Sequence, residues 1–421
     1  MAKDYTFILQ KPPGANFDWT TFFITILLCT LGLLSVYSAT FVYSTTMEAG
    51  NMSHTFSKQL YACLLGLSVM VLIMFIPEKV IRFLAYFLYG LSIALLVLVL
   101  VKGEVTAGTK GWINFGSFTI QPSEIAKIGT TMAIARFLSQ KGIDIRTIRD
   151  FAFVILLIII PMALILVEPD FGSATVFLGL LLGIMVWCGF DLFVIFFIVS
   201  LPIILLTALI GNLYFFIALA ILSLLCVLFR KRTAITVAAI VIFIGIGYST
   251  PLVIERLQPH QRNRIETFVN PEGDPRGKAY NVIQSKLAVG SGGLYGKGFL
   301  HGTQTQLRYI PKQWTDFIFS VPAEEFGFIG AFLVIALIIS LIMRAIRIAY
   351  DSDSPFFSVC AIGFASILLY HSVINIGMVI GLVPVMGIPL PFLSSGGTFI
   401  LTNLAMVGIL LNSYRQKKRK R

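Results

Sequence analysis

Residues 83–101 read FLAYFLYGLSIALLVLVLV, a run of 19 residues without a charged side chain. About 20 apolar residues are needed to cross a bilayer as an α-helix, so this run predicts a membrane span. Comparable runs occupy 18–40, 59–77, 123–138, 151–167, 172–188, 191–210, 213–229, 233–250, 317–343, 356–383 and 396–413. We therefore predict an all-α polytopic membrane protein with about 10–12 transmembrane helices, organised as one integral membrane domain over residues 1–421.

Composition supports a membrane protein. The chain is 57% hydrophobic and 12% charged, whereas soluble domains carry about 25% charged residues. The net charge of +12 is typical of cytoplasmic loops and anionic headgroups in a membrane protein, so no nucleic-acid partner is expected. The sequence has no GxxxxGK[ST] motif, and its five cysteines are scattered through apolar runs. An ATP-driven pump, a disulfide framework and a cysteine metal centre are therefore disfavoured.

The short basic loops predict the orientation, because cytoplasmic loops of membrane proteins are enriched in Lys and Arg. On the side that we expect to be cytoplasmic lie both termini and the basic groups at 79–82, 136–149, 230–232, 344–347 and the tail 414–421. The long loop at about 251–316 falls on the opposite, extracytoplasmic side. It carries nine Lys and Arg against five Asp and Glu. The excess fits either a solvated loop, since long loops cross regardless of charge, or contact with an anionic ligand.

Two features of the long loop predict local structure. Residues Ala279–Val289 place Tyr280, Ile283 and Leu287 on one helical face, which predicts a helix lying at the membrane surface. The following SGGLYGKG at 291–298 is rich in glycine. It indicates either flexible turns or a place where another backbone approaches closely.

Polar residues lie where several spans begin or end, and ionisable groups there suggest function. Glu124 and Lys127 are three residues apart, so they form either an internal ion pair or the lining of an outward-facing cavity. Glu168-Pro169-Asp170 reads either as a helix break with Asp170 capping the next helix or as a functional carboxylate pair. Trp112 is either an interfacial anchor or a site residue.

Three carboxylates mark the end of the long loop. Asp316 immediately precedes the predicted span 317–343, and Glu324 and Glu325 lie within about three turns of it. A helix N-cap needs one such group. The cluster therefore favours a functional site centred on Asp316.

The last loop is unusual for a membrane protein. Residues 377–397 read GMVIGLVPVMGIPLPFLSSGG, and His371 and Asn375 precede them on a span. Broken helix at membrane depth is tolerated only against protein or a water-filled cavity. A single intramembrane histidine is more often packed than catalytic.

These segments together resemble the SEDS family (shape, elongation, division and sporulation). The resemblance rests on GTKGW, QPSEIAK, EPDFGSA, DPRGKAYNVIQSKLAVGSGGLYGKGF, GTQTQLRYIPKQWTDFIFSVPAEEFGFIGA and GLVPVMGIPLPFLSSGGT. It covers nearly the whole chain in order, except about 191–250. The GTQTQL run resembles the elongation member RodA more than the division member FtsW.

The resemblance implies a function. SEDS proteins polymerise lipid II into glycan strands on the outer face of the bacterial cytoplasmic (inner) membrane. RodA does so during cell elongation and rod-shape maintenance, with a class B penicillin-binding protein that crosslinks the strands and with other elongation-complex membrane proteins. The essential loop carboxylate of the family falls on Asp316, the tryptophan of its GxxRW segment on Trp112, and its polar pair on Glu124 and Lys127.

The sequence departs from the family pattern at three positions. Gly111 stands where an arginine usually precedes the tryptophan, with Lys110 one step earlier. Trp314 replaces a frequent histidine, and Ser395 replaces a usual tyrosine. The family commonly has about ten spans, and the additional pair here lies near 191–229.

The chemistry of this transfer needs few protein groups. The donor sugar leaves with a lipid pyrophosphate, so a base for the acceptor hydroxyl and positive charge for the pyrophosphate suffice. We predict Asp316 as the base. The residues predicted to bind substrate are Lys110, Trp112, Glu124, Lys127, Lys297, Arg308, Lys312 and Glu325. No cofactor or metal-ligand set is evident, although Mg²⁺ or Mn²⁺ would help to neutralise pyrophosphate.

Three alternatives remain open at this stage. A transporter or flippase of lipid-linked precursors also uses intramembrane charges, but it should place them near the midplane, often in two related halves. An FtsW-like division polymerase shares the chemistry. A scaffold of a wall-building complex would not need Asp316.

Overall fold

The computed structural model describes residues 17–41, 49–106, 109–115, 118–229, 232–255, 259–270, 279–311 and 313–416. The helices are α1 (Trp19–Thr40), α2 (Ala49–Met74), α3 (Glu78–Lys102), α4 (Pro122–Leu138), α5 (Ile148–Val167), α6 (Phe171–Trp187), α7 (Leu192–Ile210), α8 (Asn212–Leu228), α9 (Thr233–Glu255), α10 (Pro259–Val269), α11 (Tyr280–Ser291), α12 (Thr303–Gln306), α13 (Ser320–Glu325), α14 (Gly327–Asp351), α15 (Pro355–Val379) and α16 (Gly397–Gln416). The strands are β1 (Glu104–Thr106), β2 (Thr109–Phe115) and β3 (Phe118–Ile120).

Each of the twelve predicted spans corresponds to a helix, namely α1–α9 and α14–α16. Within the described part of the chain, nine of these helices are long and apolar enough to cross a membrane. The other three, α4, α6 and α8, have 17 residues each. The predicted multi-pass helical membrane protein is thus confirmed.

The predicted span 317–343 is wrong over its first ten residues. The chain there forms turns and the short helix α13, and α14 begins only at Gly327. Gly327 has φ +64°, and a Cβ on it would lie 2.3 Å from the Gly296 backbone nitrogen. The apolar FIFSV run therefore does not continue into α14, and Asp316, Glu324 and Glu325 do not share one helix.

The main core is built around α4, α15 and α16, whose side chains are buried on nearly every face. Helix α16 packs along α2, and α15 packs against α4, α6 and α14. Polar groups tie helix ends together, as where the Asn412 side-chain amide donates to the carbonyls of Ile73 (2.6 Å) and Ile76 (2.7 Å). These bonds tie α16 to the last turn of α2 and to the chain that follows it.

Helices α7, α8 and α9 form a second, smaller core. Its fully or nearly fully buried side chains are Phe193, Ile204, Phe215, Leu222, Cys226, Ala239 and Phe243. The predicted additional pair of spans near 191–229 is α7 and α8, and the structure shows that it packs with α9.

A helix is observed where one was predicted at 279–289, as α11, and its location at the membrane surface stays a prediction. Its buried residues are Ser285 and Ala288, and the Ser285 hydroxyl donates to the Val379 carbonyl at 2.9 Å. Leu287, on the predicted apolar face, is exposed. The protein therefore covers the small residues of α11 and leaves Leu287 uncovered.

A small antiparallel sheet, which the sequence did not predict, precedes α4. Strand β2 pairs with β1, with Trp112 opposite Glu104, and with β3, with Ile113 opposite Ile120. The sheet leads directly into Pro122 at the start of α4. It therefore holds Trp112 near the end of the helix that carries Glu124.

Candidate active site

Asp316 lies in a turn that the following loop holds by its main chain. We call residues 313–319 the Asp316 turn and residues 380–396 the late segment. The carbonyls of residues 314, 315 and 316 accept, in order, the Ser395 backbone N–H (2.8 Å), the Ser394 hydroxyl (2.7 Å) and the Asn375 side-chain amide (2.8 Å). Three successive carbonyls with external donors fix the backbone that carries the carboxylate.

The Asp316 side chain is half-buried beside the late segment. Gly387 has φ +74°, and a Cβ on it would lie 3.6 Å from Asp316 Oδ2. Gln59 of α2 braces the same region, since its amide donates to the Ser394 carbonyl (3.3 Å) and accepts from the Gly396 N–H (3.0 Å). The proline-rich late segment thus forms one wall beside the carboxylate, which stays partly accessible.

Glu124 and Lys127 form a buried ion pair together with His371. The Lys127 ammonium lies 2.7 Å from Glu124 Oε1 and 2.9 Å from His371 Nε2, and all three side chains are at most 3% exposed. An ammonium can only donate, so His371 Nε2 must accept. The imidazole proton is then on Nδ1, which donates to the Pro389 carbonyl at 3.0 Å. The ion-pair interpretation is confirmed, and His371, which we expected only to pack, completes the cluster.

Glu324 organises the chain around α12. Its carboxylate is fully buried and accepts from the Lys297 ammonium (2.8 Å), the N–H groups of Gln304 (2.8 Å) and Thr305 (2.9 Å), and the Thr305 hydroxyl (2.7 Å). Burial raises the pKa of Glu324, but these bonds outweigh it and hold the pKa below its usual value. An ionised Glu324 therefore holds Lys297 and the backbone of residues 304 and 305 in place.

Glu325 faces α1 instead. Its Oε1 accepts from the Ser38 hydroxyl and from the Gln306 amide at 3.4 Å, while Oε2 is buried without a partner in the described structure. Burial raises the pKa of this carboxyl, against the smaller opposing effect of these hydrogen bonds. In this structure Glu325 links the loop to α1.

The glycines at 291–298 allow close approach. A Cβ on Gly292 would lie 2.0 Å from the Ala323 carbonyl oxygen, and one on Gly296, which has φ +82°, would lie 2.1 Å from the Glu325 carbonyl oxygen. The N–H groups of Lys297 and Gly298 bond the carbonyls of residues 324 and 325 at 3.1 and 2.9 Å. The close-approach interpretation is confirmed.

Asp170 is the predicted helix cap, and Glu168 is the carboxylate that sequence reasoning left unassigned. Asp170 accepts from the Ser173 N–H at 3.0 Å and from the Gln121 amide at 3.4 Å. Glu168 is 1% exposed, and neither of its oxygens has a partner among the described residues. Burial, reinforced by Asp170, raises its pKa to about 8. Gly111 lies beside this carboxylate, and a Cβ at position 111 would be in ordinary contact with Glu168 Oε2, at 3.6 Å.

The structure places the predicted substrate-binding residues in different surroundings. Lys127 and Lys297 are each ion-paired with a glutamate. Arg308 and Trp112 are half-buried, and Arg308 has φ +55°. The Lys110 side chain and Lys312 lie outside the described residues. The binding roles of all these residues stay predictions.

Asn375 and Ser394 are site residues that the sequence analysis did not assign. Their signal was present, since both are polar residues in an apolar setting. Among the described residues, no three His, Cys, Asp or Glu side chains group closely enough to hold a metal ion.

The fold and this braced carboxylate define a class: multi-pass helical membrane proteins whose loop site is supported by a broken-helix segment. The family described as "Cell cycle protein", which comprises FtsW, RodA and SpoVE, matches residues 18–218 and 212–419. The chain therefore belongs to the FtsW/RodA/SpoVE family, the SEDS family that its motifs resemble.

Individual relatives agree with this placement. The peptidoglycan glycosyltransferase MrdB of Escherichia coli K12 is 34% identical over 394 residues, covering 94% of both chains. The peptidoglycan glycosyltransferase RodA of Treponema pallidum is 30% identical over 428 residues, covering 94% of this chain and 97% of the relative. A solved structure described as "Structural coordination of polymerization and crosslinking by a peptidoglycan synthase complex" matches with a TM-score of 0.66 and 29% identity, covering 96% of this chain and 99% of that one.

Proposed function

We propose that this chain is a RodA-like peptidoglycan glycosyltransferase that polymerises lipid II during cell elongation and rod-shape maintenance. The observation that carries the proposal is the Asp316 turn, where three hydrogen-bonded carbonyls hold a half-buried carboxylate beside the late segment. A fixed, partly accessible carboxylate is what a general base requires. The names of the relatives supply the reaction class.

The reaction then needs one proton transfer. The acceptor hydroxyl oxygen attacks the anomeric carbon of the donor sugar and forms the new glycosidic bond, while Asp316 takes the hydroxyl proton. The bond between that carbon and the pyrophosphate oxygen breaks, and lipid pyrophosphate leaves with the electron pair. A pyrophosphate is a good leaving group, so no acid is needed to protonate it, unlike in glycosidases.

Positive charge for the pyrophosphate is the second requirement. Lys127 and Lys297 are each neutralised by a glutamate in this structure. Arg308 and Lys312, which precede the Asp316 turn in the sequence, are the further basic candidates for this contact. Any Mg²⁺ or Mn²⁺ would arrive with the pyrophosphate, and no step here depends on it.

The family supports a proposal for the cellular setting. We propose that the chain lies in the bacterial cytoplasmic membrane with both termini in the cytoplasm, and that Asp316 faces the outer side. The related synthase complex couples polymerisation with crosslinking. We therefore propose a class B penicillin-binding protein as the partner of this chain, together with other elongation-complex membrane proteins.

Polymerisation of lipid II by the purified protein in detergent tests the proposal, with and without a class B penicillin-binding protein and with Mg²⁺, Mn²⁺ or a chelator. Asp316→Asn keeps the size of the side chain but cannot take a proton, so we expect the rate to fall by about 10²–10⁴-fold. The exposed-loop variant Asp144→Asn is the control and should match the wild type.

Each other outcome has a meaning. Full activity of Asp316→Asn would refute the assignment of the base. Folded wild-type protein that makes no glycan but moves lipid II across a vesicle membrane would favour the transporter. Activation only by a division-type transpeptidase would favour the FtsW-like role.

A further inference from the structure

The bonds that hold the Asp316 turn continue into the membrane core. Asn375, on α15, is fully buried and donates both amide hydrogens, one to the Asp316 carbonyl (2.8 Å) and one to the Ile388 carbonyl (2.7 Å). The nitrogen must face these two oxygens, because a flipped amide would set three oxygens against one another. Asn375 thus clamps the backbone of the Asp316 turn to the late segment.

One turn earlier on the same helix, His371 makes the adjoining bond. Its Nδ1 donates to the Pro389 carbonyl at 3.0 Å, while Nε2 accepts from Lys127, which is paired with Glu124. Residues four apart on a helix lie on one face. Asn375 therefore binds the carbonyl of residue 388, and His371 binds the carbonyl of residue 389. Asn375 also binds the Asp316 carbonyl, whereas His371 also contacts the ion pair of α4.

We infer that Asn375 and His371 are positioning residues for the reaction. They connect the Glu124–Lys127 pair in α4 to the backbone of Asp316 through the carbonyls of residues 388 and 389. Their task is to fix the direction in which the Asp316 carboxylate points. The inference rests on the proposed function, because it assigns Asp316 as the base.

The inference predicts a specific kinetic signature. A misplacement of about 1 Å at a reacting group costs up to about a hundredfold in rate. Replacing Asn375 by alanine should therefore lower kcat of lipid II polymerisation by about 10- to 100-fold. KM for lipid II should stay within about twofold, because Asn375 is fully buried and donates both amide hydrogens to protein carbonyls.

The matched control is Ser372→Ala on the same helix. The Ser372 hydroxyl is buried and donates only to the Leu368 carbonyl of its own helix, at 2.7 Å. This variant should keep both kcat and KM. If kcat of Asn375→Ala equals that of Ser372→Ala, or if its KM rises in proportion to its loss of rate, the positioning role is wrong.

Ser394→Ala decides the question if Asn375→Ala does not fold. It removes the bond to the Thr315 carbonyl, together with the one that the hydroxyl accepts from the Leu390 N–H (2.8 Å), with a smaller change of volume. We expect kcat to fall by about three- to tenfold with unchanged KM, as for a smaller displacement of the same turn. A wild-type kcat for this variant would overturn the inference.

Two conservative variants test His371. His371→Asn keeps a donor for the Pro389 carbonyl, whereas His371→Gln keeps an acceptor for Lys127. His371 is connected to Asp316 through its bond to the Pro389 carbonyl and the neighbouring bond of Asn375 to the Ile388 carbonyl. His371→Asn, which keeps the first of these bonds, should therefore have a higher kcat than His371→Gln. The reverse order would overturn the assignment of His371.

The proposed function and this inference fail in distinguishable ways. If the wild type makes no glycan, the function itself is wrong. If the wild type is active and Asp316→Asn is not, but the variants at positions 375, 394 and 371 equal the wild type, only the positioning role is wrong.

Discussion

At the residue scale, Glu168 has the least favourable surroundings of the carboxylates described. It is 1% exposed, its oxygens have no partner among the described residues, and its pKa is raised from 4.5 to about 8. The folded protein therefore holds a proton between these two pH values that the unfolded chain has released. Stability falls as pH rises through this window, and above about pH 8 the loss is complete.

Glu168→Gln should remove this dependence, because glutamine stays neutral. Near pH 5 the two proteins should have similar free energies of unfolding, and by about pH 9 the variant should be more stable by on the order of 3–5 kcal/mol. Thermal unfolding of the purified protein from pH 5 to pH 9 measures the difference. Glu266→Gln, at an exposed position, is the control. Parallel pH profiles for wild type and Glu168→Gln would contradict the prediction.

At the element scale, the contact between residues 291–298 and α13 requires glycines, because a Cβ at Gly292 or Gly296 would overlap the backbone of α13. Gly296→Ala would place a Cβ 2.1 Å from the Glu325 carbonyl oxygen at φ +82°. Left-handed backbone costs an alanine about 1–2 kcal/mol, and the overlap should cost about 1–3 kcal/mol more. We expect a lower unfolding temperature and slower polymerisation.

Gly290→Ala is the matched control for this contact. Nothing lies within 4 Å of a Cβ at position 290, which is inside α11. Alanine favours helix over glycine by about 1 kcal/mol, so this variant should be neutral or slightly more stable. Equal stability of Gly290→Ala and Gly296→Ala would show that the close approach does not matter.

Sequence patterns predicted elements better than the breaks between them. Long apolar runs determine helices such as α3 and α5, because a span must bury its own backbone polar groups. The run after Asp316 is equally apolar, yet it turns, since the carbonyls just before it, of residues 314 and 315, bond the late segment and Gly327 adopts φ +64°. Those partners lie about 80 residues away in sequence, and hydrophobic periodicity contains no information about them.

The same limit applies to the site residues. The i,i+3 spacing predicted the Glu124–Lys127 pair, because helix geometry is local. The contact of Lys127 with His371 spans 244 positions and could not be read from spacing. The small sheet was missed because β1 and β3 have only three residues each and β2, TKGWINF, does not alternate between polar and apolar residues.

At the scale of the whole molecule, the helices form two cores of unequal role. The larger one contains α4 and α15 and supports Asp316, and the smaller one contains only α7, α8 and α9. Disturbing the smaller core should therefore lower stability more than it lowers catalysis.

Phe243→Ala tests this separation. Phe243 is fully buried in the smaller core and stacks on Phe197 at 5.5 Å between ring centroids. The cavity should cost about 3–5 kcal/mol, while the polymerisation rate of the folded protein stays within about twofold of wild type at low temperature. Phe364→Ala, in α15, is the comparison and should lose stability and rate together. A large loss of rate in Phe243→Ala would mean that the two cores are coupled.

The hydrogen bond between the Ser395 N–H and the Trp314 carbonyl affects which substitutions these two positions tolerate. The resemblance to the SEDS family marks both positions as departures from the family pattern. The hydrogen bond joins two main-chain atoms, so neither side chain supplies it. Evolution can therefore exchange the residue at either position without losing this support for Asp316, whereas the neighbouring Ser394 and Asn375 contribute side-chain donors and have no such freedom.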